Sequence, residues 1–211
     1  MESEEKAAHQ YSMQGELETL LTKEAILLGA GDACLLPVSV LQVKDELAEL
    51  CHKPYQCPSY GLCPGCPPHA MTSAQFRLLV QSCCYVLLFK IDVPMPVLLG
   101  KERPHFVRRI HVISASLEGF IHTHSHYLAH AYAAGSCKEL FCASLAACPV
   151  IEKRAPCLHP QLARPSLSAV GVDFTALAQA AAWPFAPEGI RDDTTSILMG
   201  MLAGFVLIKD K

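Results

Sequence analysis

Apolar positions recur with helical spacing over residues 14–28, where Leu17, Leu20, Leu21, Ile26, Leu27 and Leu28 share a face and Gly29 supplies the stop. Residues 1–13 lack the pattern and read as a flexible N-terminus. The stretch 33–41 is short and apolar around Pro37, a candidate strand, and 44–50 reads as a helical turn or short strand. The pattern then breaks. Residues 51–70, CHKPYQCPSYGLCPGCPPHA, hold five prolines and two glycines, a composition that suits neither a helix nor a central strand. Helical spacing returns over 72–82, with Thr72 or Ser73 as cap. Residues 84–91, CYVLLFKI, are continuously apolar, as a strand covered on both faces should be. A Pro/Gly loop is expected over 93–104. The longest helical pattern runs from Pro104 to Ala134, with Gly135 just past its end. After a cysteine-rich stretch and a loop come a helix over 174–183, closed by Pro184, and a strand over 202–208. Helices and strands alternate, so the fold class is α/β, with α+β as its variant. The expected organisation is a single compact domain over 14–211 with two irregular cysteine-rich loops.

Composition narrows the function classes. The 211 residues are 51% hydrophobic and 18% charged, enough to bury a core, which excludes disorder as a description of the whole. A net charge of −3 with no basic stripe argues against nucleic acid as a partner. The start, MESEEKAAHQ, lacks the basic and apolar regions of a secretory signal. The apolar run 196–208 is shorter than the roughly 20 residues a spanning helix needs. The chain therefore reads as cytoplasmic, without a membrane span. Its oligomeric state is left open.

That compartment changes the meaning of the eleven cysteines. Disulfides are rare in the cytosol, and an odd number cannot pair completely within one chain. Cys34, Cys83 and Cys84 lie in or beside apolar runs and read as packing. The other eight form two constellations, Cys51-x5-Cys57-x5-Cys63-x2-Cys66 and Cys137-x4-Cys142-x5-Cys148-x8-Cys157. Four thiolates can close a tetrahedral zinc site or hold the corners of an iron–sulfur cluster. A loop rich in proline and glycine gains most from a metal, because binding energy then appears as folding energy. Zinc ribbons usually pair two Cys-x2-Cys knuckles, and only Cys63-Pro64-Gly65-Cys66 is present. Cys57, Cys63, Cys66 and Cys148 each precede proline, as a ferredoxin cluster cysteine does. The pattern favours iron–sulfur, with Zn2+ as the alternative.

One long motif carries a resemblance. It runs Gly135-Ser136-Cys137-Lys138-Glu139-Leu140-Phe141-Cys142, then Cys148, then Cys157-x-His159-Pro160-x2-Ala163-Arg164-Pro165-Ser166-x2-Ala169-x-Gly171-Val172-Asp173. Together with Cys57-Pro58-x-Tyr60-Gly61-x4-Cys66-Pro67-Pro68-His69, it resembles the family of predicted metal-binding proteins carrying domain of unknown function 2284. The resemblance spans nearly the whole chain. It implies as metal ligands Cys51, Cys57 and Cys66 in the first motif and Cys137, Cys142, Cys148 and Cys157 in the second. Cys63 stands where the family usually has another residue, so it is either no ligand or an added one.

Two further residues are candidates for contacting the metal group. Arg164 either places a fixed cation beside a thiolate cluster or pairs with Asp173 in an ordinary loop. Ser166 either caps a short turn or donates to a cluster sulfur. His69 and His159 follow cysteines of the motifs and are secondary candidates. His122, His126 and His130 would share a helix face, and the plainer reading is a polar surface. No catalytic residue stands out. The expectation is one [4Fe–4S] cluster on Cys137, Cys142, Cys148 and Cys157 and a second centre on Cys51, Cys57 and Cys66, with Cys63 as a candidate fourth ligand of that second centre. The role would be electron transfer or redox assistance to a partner enzyme. The alternatives are a zinc-stabilised binding module and a metal-dependent enzyme using an open coordination position.

Overall fold

A computed structural model describes residues 2–52, 57–186, 189–192 and 197–211, with 2–14 described as backbone only. Helix α1, Glu2–Leu27, starts well before the apolar pattern does. Its first half is rich in Glu, Ala, Lys and Gln, which favour helix without needing an apolar face. Gly29, at φ +99°, ends it as expected.

Among the described residues, five strands form one sheet: β1 Asp32–Pro37, β2 Tyr85–Pro94, β3 Tyr127–Tyr132, β4 Ile190–Arg191 and β5 Leu198–Asp210. The order is β1-β2-β5-β3, with β4 also on β5, and every pairing is antiparallel. The fold is thus the α+β form of the expected class. Both faces of the centre are covered. Leu87, Phe89, Ile91, Val206 and Ile208 pack against Leu21 and Ala25 of α1 and against Ile110, Ile113, Leu117 and Ile121. Those last four belong to α5, Arg103–His124. Val86, Leu88, Phe205 and Leu207 point the other way, onto Phe76, Val170 and Leu177. Alternate residues of β2 and β5 therefore enter different cores, which is why 84–91 is apolar without interruption.

The short helices are α2 Asp45–Glu49, α3 Ser73–Gln81, α4 Met95–Leu98, α6 Cys137–Phe141 and α7 Phe174–Ala180. Thr72 caps α3 through a reciprocal box with Gln75. Thr72→Ala is expected to cost about 1 kcal/mol, read as a lower urea midpoint at unchanged slope. Helix α4 forms inside the expected Pro/Gly loop, because Pro96 falls in its first turn, where proline is tolerated.

The largest correction concerns residues 104–134. Helix α5 stops at His124, Ser125 turns to an extended conformation, and β3 follows. In β3 the buried Ala129 and Ala131 alternate with the exposed Leu128 and His130, a strand period that also fits part of a helical one. The shared face of His122, His126 and His130 therefore does not exist. His122 Nε2 instead accepts the backbone N–H of Ala129 at 3.0 Å.

Candidate metal centre

The site is assembled where β3 leaves the sheet. Pro165 accepts from the N–H of Ala133 at 2.8 Å, and Ala133 accepts from Leu167 at 2.9 Å. The Ser166 N–H donates to Gly65 at 3.2 Å, which ties in the Cys63–Cys66 turn. A Cβ on Gly65 would stand 2.9 Å from Pro165 Cα, so only glycine lets these backbones approach. Three segments distant in sequence are thus laced together by one parallel bridge, Ala133 to Ser166, and the bond to Gly65.

Side chains fix the second cysteine arm. Lys138 is buried, and its Nζ donates to the carbonyls of Cys142 at 2.9 Å and Leu145 at 2.8 Å. Arg108 donates to the Leu140 carbonyl and lies 4.7 Å from the Phe141 ring centroid. His111 is fully buried. Its Nδ1 accepts the Arg164 N–H at 3.2 Å, so Nε2 carries the proton and donates to Ala134 at 3.1 Å. Burial holds its pKa down to about 4.

Two of the cavities gather the motif cysteines. The first, about 30 Å³, is lined by Cys137, Cys142, Cys148 and Cys157, the whole second motif, and also by Cys63. His159 and Lys138 lie in the same wall, with no carboxylate. The second, about 460 Å³, is lined by Cys51, Cys57 and Cys66 with Arg103, Glu139 and Ser166. Glu139 accepts a hydrogen bond from Ser59. The three first-motif thiols and the four second-motif thiols therefore separate in space as they do in sequence, and Cys63 crosses over. Among the described residues, no three cysteine, histidine or carboxylate side chains stand at the spacing of a single-ion site.

The cavities meet at a thiol cluster. Hydrogen bonds from Cys137 and Cys66 hold the Cys63 thiol far below its ordinary range, and the same bonds hold both partners well above theirs. The Cys63 Sγ also lies 3.4 Å from Ser136 Oγ. Burial pushes Cys34 up to about 12 and also raises Cys83 and Cys84, as it raises Cys51 and Cys142 of the motifs.

The remaining candidates fall as follows. Arg164 lines neither cavity. Its Nη2 lies 2.7 Å from Glu118 and its Nη1 donates to Pro160 and Ala163. The expected alternative, a pair with Asp173, is replaced: Asp173 sits 2.6 Å from Lys44 and caps α7. Glu118, mid-helix in α5, could not be foreseen as the partner because only the packing of α5 against 160–164 brings it there. Ser166 precedes a short 3-10 turn without capping it by its side chain, and faces the larger cavity. His159 donates its backbone N–H to Cys157 Sγ at 3.4 Å, while His69 is exposed and lines neither cavity. Lys138, Ser136 and Glu139 flank Cys137 in the motif itself, which was their only sequence signal. His111 had none.

Fold and site together define a mixed α+β domain with a sulfur-rich candidate metal centre at one end of its sheet. Five sulfurs around a carboxylate-free cavity suit a soft or borderline metal. A family model described as "Predicted metal-binding protein (DUF2284)" matches residues 34–203, and the chain belongs to that family. No curated protein and no solved structure matches it. Among the described residues, no helix is long and apolar enough to cross a membrane.

Proposed function

We propose that this is a cytoplasmic iron–sulfur protein, with a [4Fe–4S] cluster on Cys137, Cys142, Cys148 and Cys157 and a second centre on Cys51, Cys57 and Cys66. Its role in this reading is to pass electrons to a partner enzyme. The observation that carries it is the gathering of all four second-motif thiols around one cavity without an oxygen donor. Such a cluster supplies one-electron chemistry. The chain supplies N–H and O–H donors beside sulfur, at Cys157 and Cys63, of the kind that tune a cluster's potential.

The all-thiol donor set also suits a second reading, a zinc-stabilised module. The larger cavity, in turn, has room for a small ligand beside three thiols, where a metal could keep an open position.

Anaerobic purification separates the readings. The expected protein is brown, with broad visible absorbance and iron matched by acid-labile sulfide. Colourless protein with stoichiometric zinc would overturn the iron–sulfur assignment.

A further inference from the structure

We infer that Cys63, from the first motif, is a resident ligand of the second-motif metal centre, and that Cys157 is the ligand that gives way. This rests on 137–157 being a metal centre, and is independent of which metal it holds.

The turn that carries Cys63 is closed by the Cys66 N–H donating to the Cys63 carbonyl at 3.1 Å. It sends the two sulfurs to different cavities, Cys66 to that of Cys51 and Cys57, and Cys63 to that of Cys137, Cys142, Cys148 and Cys157. Five thiols therefore face a centre for which four suffice. They are not equally placed. Cys63 is 1% exposed, lines the same cavity as Cys137, and is seated on a turn anchored to Ser166 through Gly65. Cys157 is exposed, on a loop outside the helices and strands. A ligand already fixed by its surroundings loses little freedom on binding, whereas one on an exposed loop must be ordered. A merely packed cysteine would be surrounded by carbon. Cys63 instead faces a cavity walled by four other thiols, with a hydroxyl 3.4 Å from its sulfur.

The test uses Zn2+ as probe ion, loaded anaerobically under reducing conditions, with bound metal counted by elemental analysis. Cys157→Ala should keep the parent's Zn2+ complement, and Cys157→Ala with Cys63→Ala should lose one equivalent. Loss of an equivalent in Cys157→Ala alone, or full retention in the double variant, would overturn the inference. If the double variant does not fold, Cys63→Ala replaces it. Alkylating Cys157 should then release Zn2+ from Cys63→Ala and leave the parent's Zn2+ in place; release from both, or from neither, counts against the inference. Metal identity in protein as purified is read separately from iron and sulfide, so failure of the iron–sulfur assignment leaves this result interpretable.

Discussion

A Gly65→Ala chain will bind less metal and melt earlier than its parent. The new methyl would stand 2.9 Å from Pro165 Cα and 3.5 Å from the Arg164 carbonyl oxygen. Both are backbone atoms, and no side-chain rotation relieves the contact. The Cys63–Cys66 turn must back away, stretching the 3.2 Å bond from Ser166 to Gly65 and drawing Cys63 from Cys137. Overpacking of this kind costs about 2–3 kcal/mol. In a domain of this size that is a fall of roughly 5–10 °C in melting temperature. Metal per chain and a thermal melt check it together. Unchanged values for both would mean that the turn does not rest on residues 164–166.

His111 should make the fold acid-sensitive in a defined window. Its folded-state pKa is depressed to about 4 from an ordinary 6.5. Between those values the unfolded chain binds a proton that the folded chain refuses. The stability is therefore complete above the unfolded value and drains away as pH falls toward about 4. Protonation would put a hydrogen on Nδ1, against the Arg164 N–H it now accepts from. The size of the effect is about 3 kcal/mol. His111→Gln lacks the titration, so the stability gap between parent and variant should shrink by that amount from pH 7 to pH 4. Urea unfolding of metal-free protein at several pH values measures it, and parallel curves for the two would refute it.

What could be read from the chain was whatever local pattern decides. The capping box at Thr72 and the unbroken apolar run of β2 stand in a single window of sequence, and both elements formed there. The grouping of the cysteines was legible in the same way, since each motif lies on one continuous arm. The largest misreading falls where two periods coincide. Residues 127–132 continued the apolar spacing of α5, and no glycine or proline marks the turn at Ser125. Contacts made by packing left no local trace. His111, Glu118 and the crossing of Cys63 between motifs depend on which segments meet at the end of the sheet. The Cys63–Cys66 spacing sets how far apart the two sulfurs are, but which cavity each enters is settled by the seat of the turn on residues 164–166.

The sheet order also sets a timetable. Strand β5 is the last to be synthesised, yet it lies between β2 and β3, and it supplies residues to both cores. During translation β2 and β3 must wait for a neighbour more than a third of the chain away from β3, and such distant pairing is slow. Every cysteine has left the ribosome's active centre before that neighbour is made. The thiols thus emerge ahead of the scaffold that shelters them, and the interval before closure is when a metal donor, or an oxidant, has freest access.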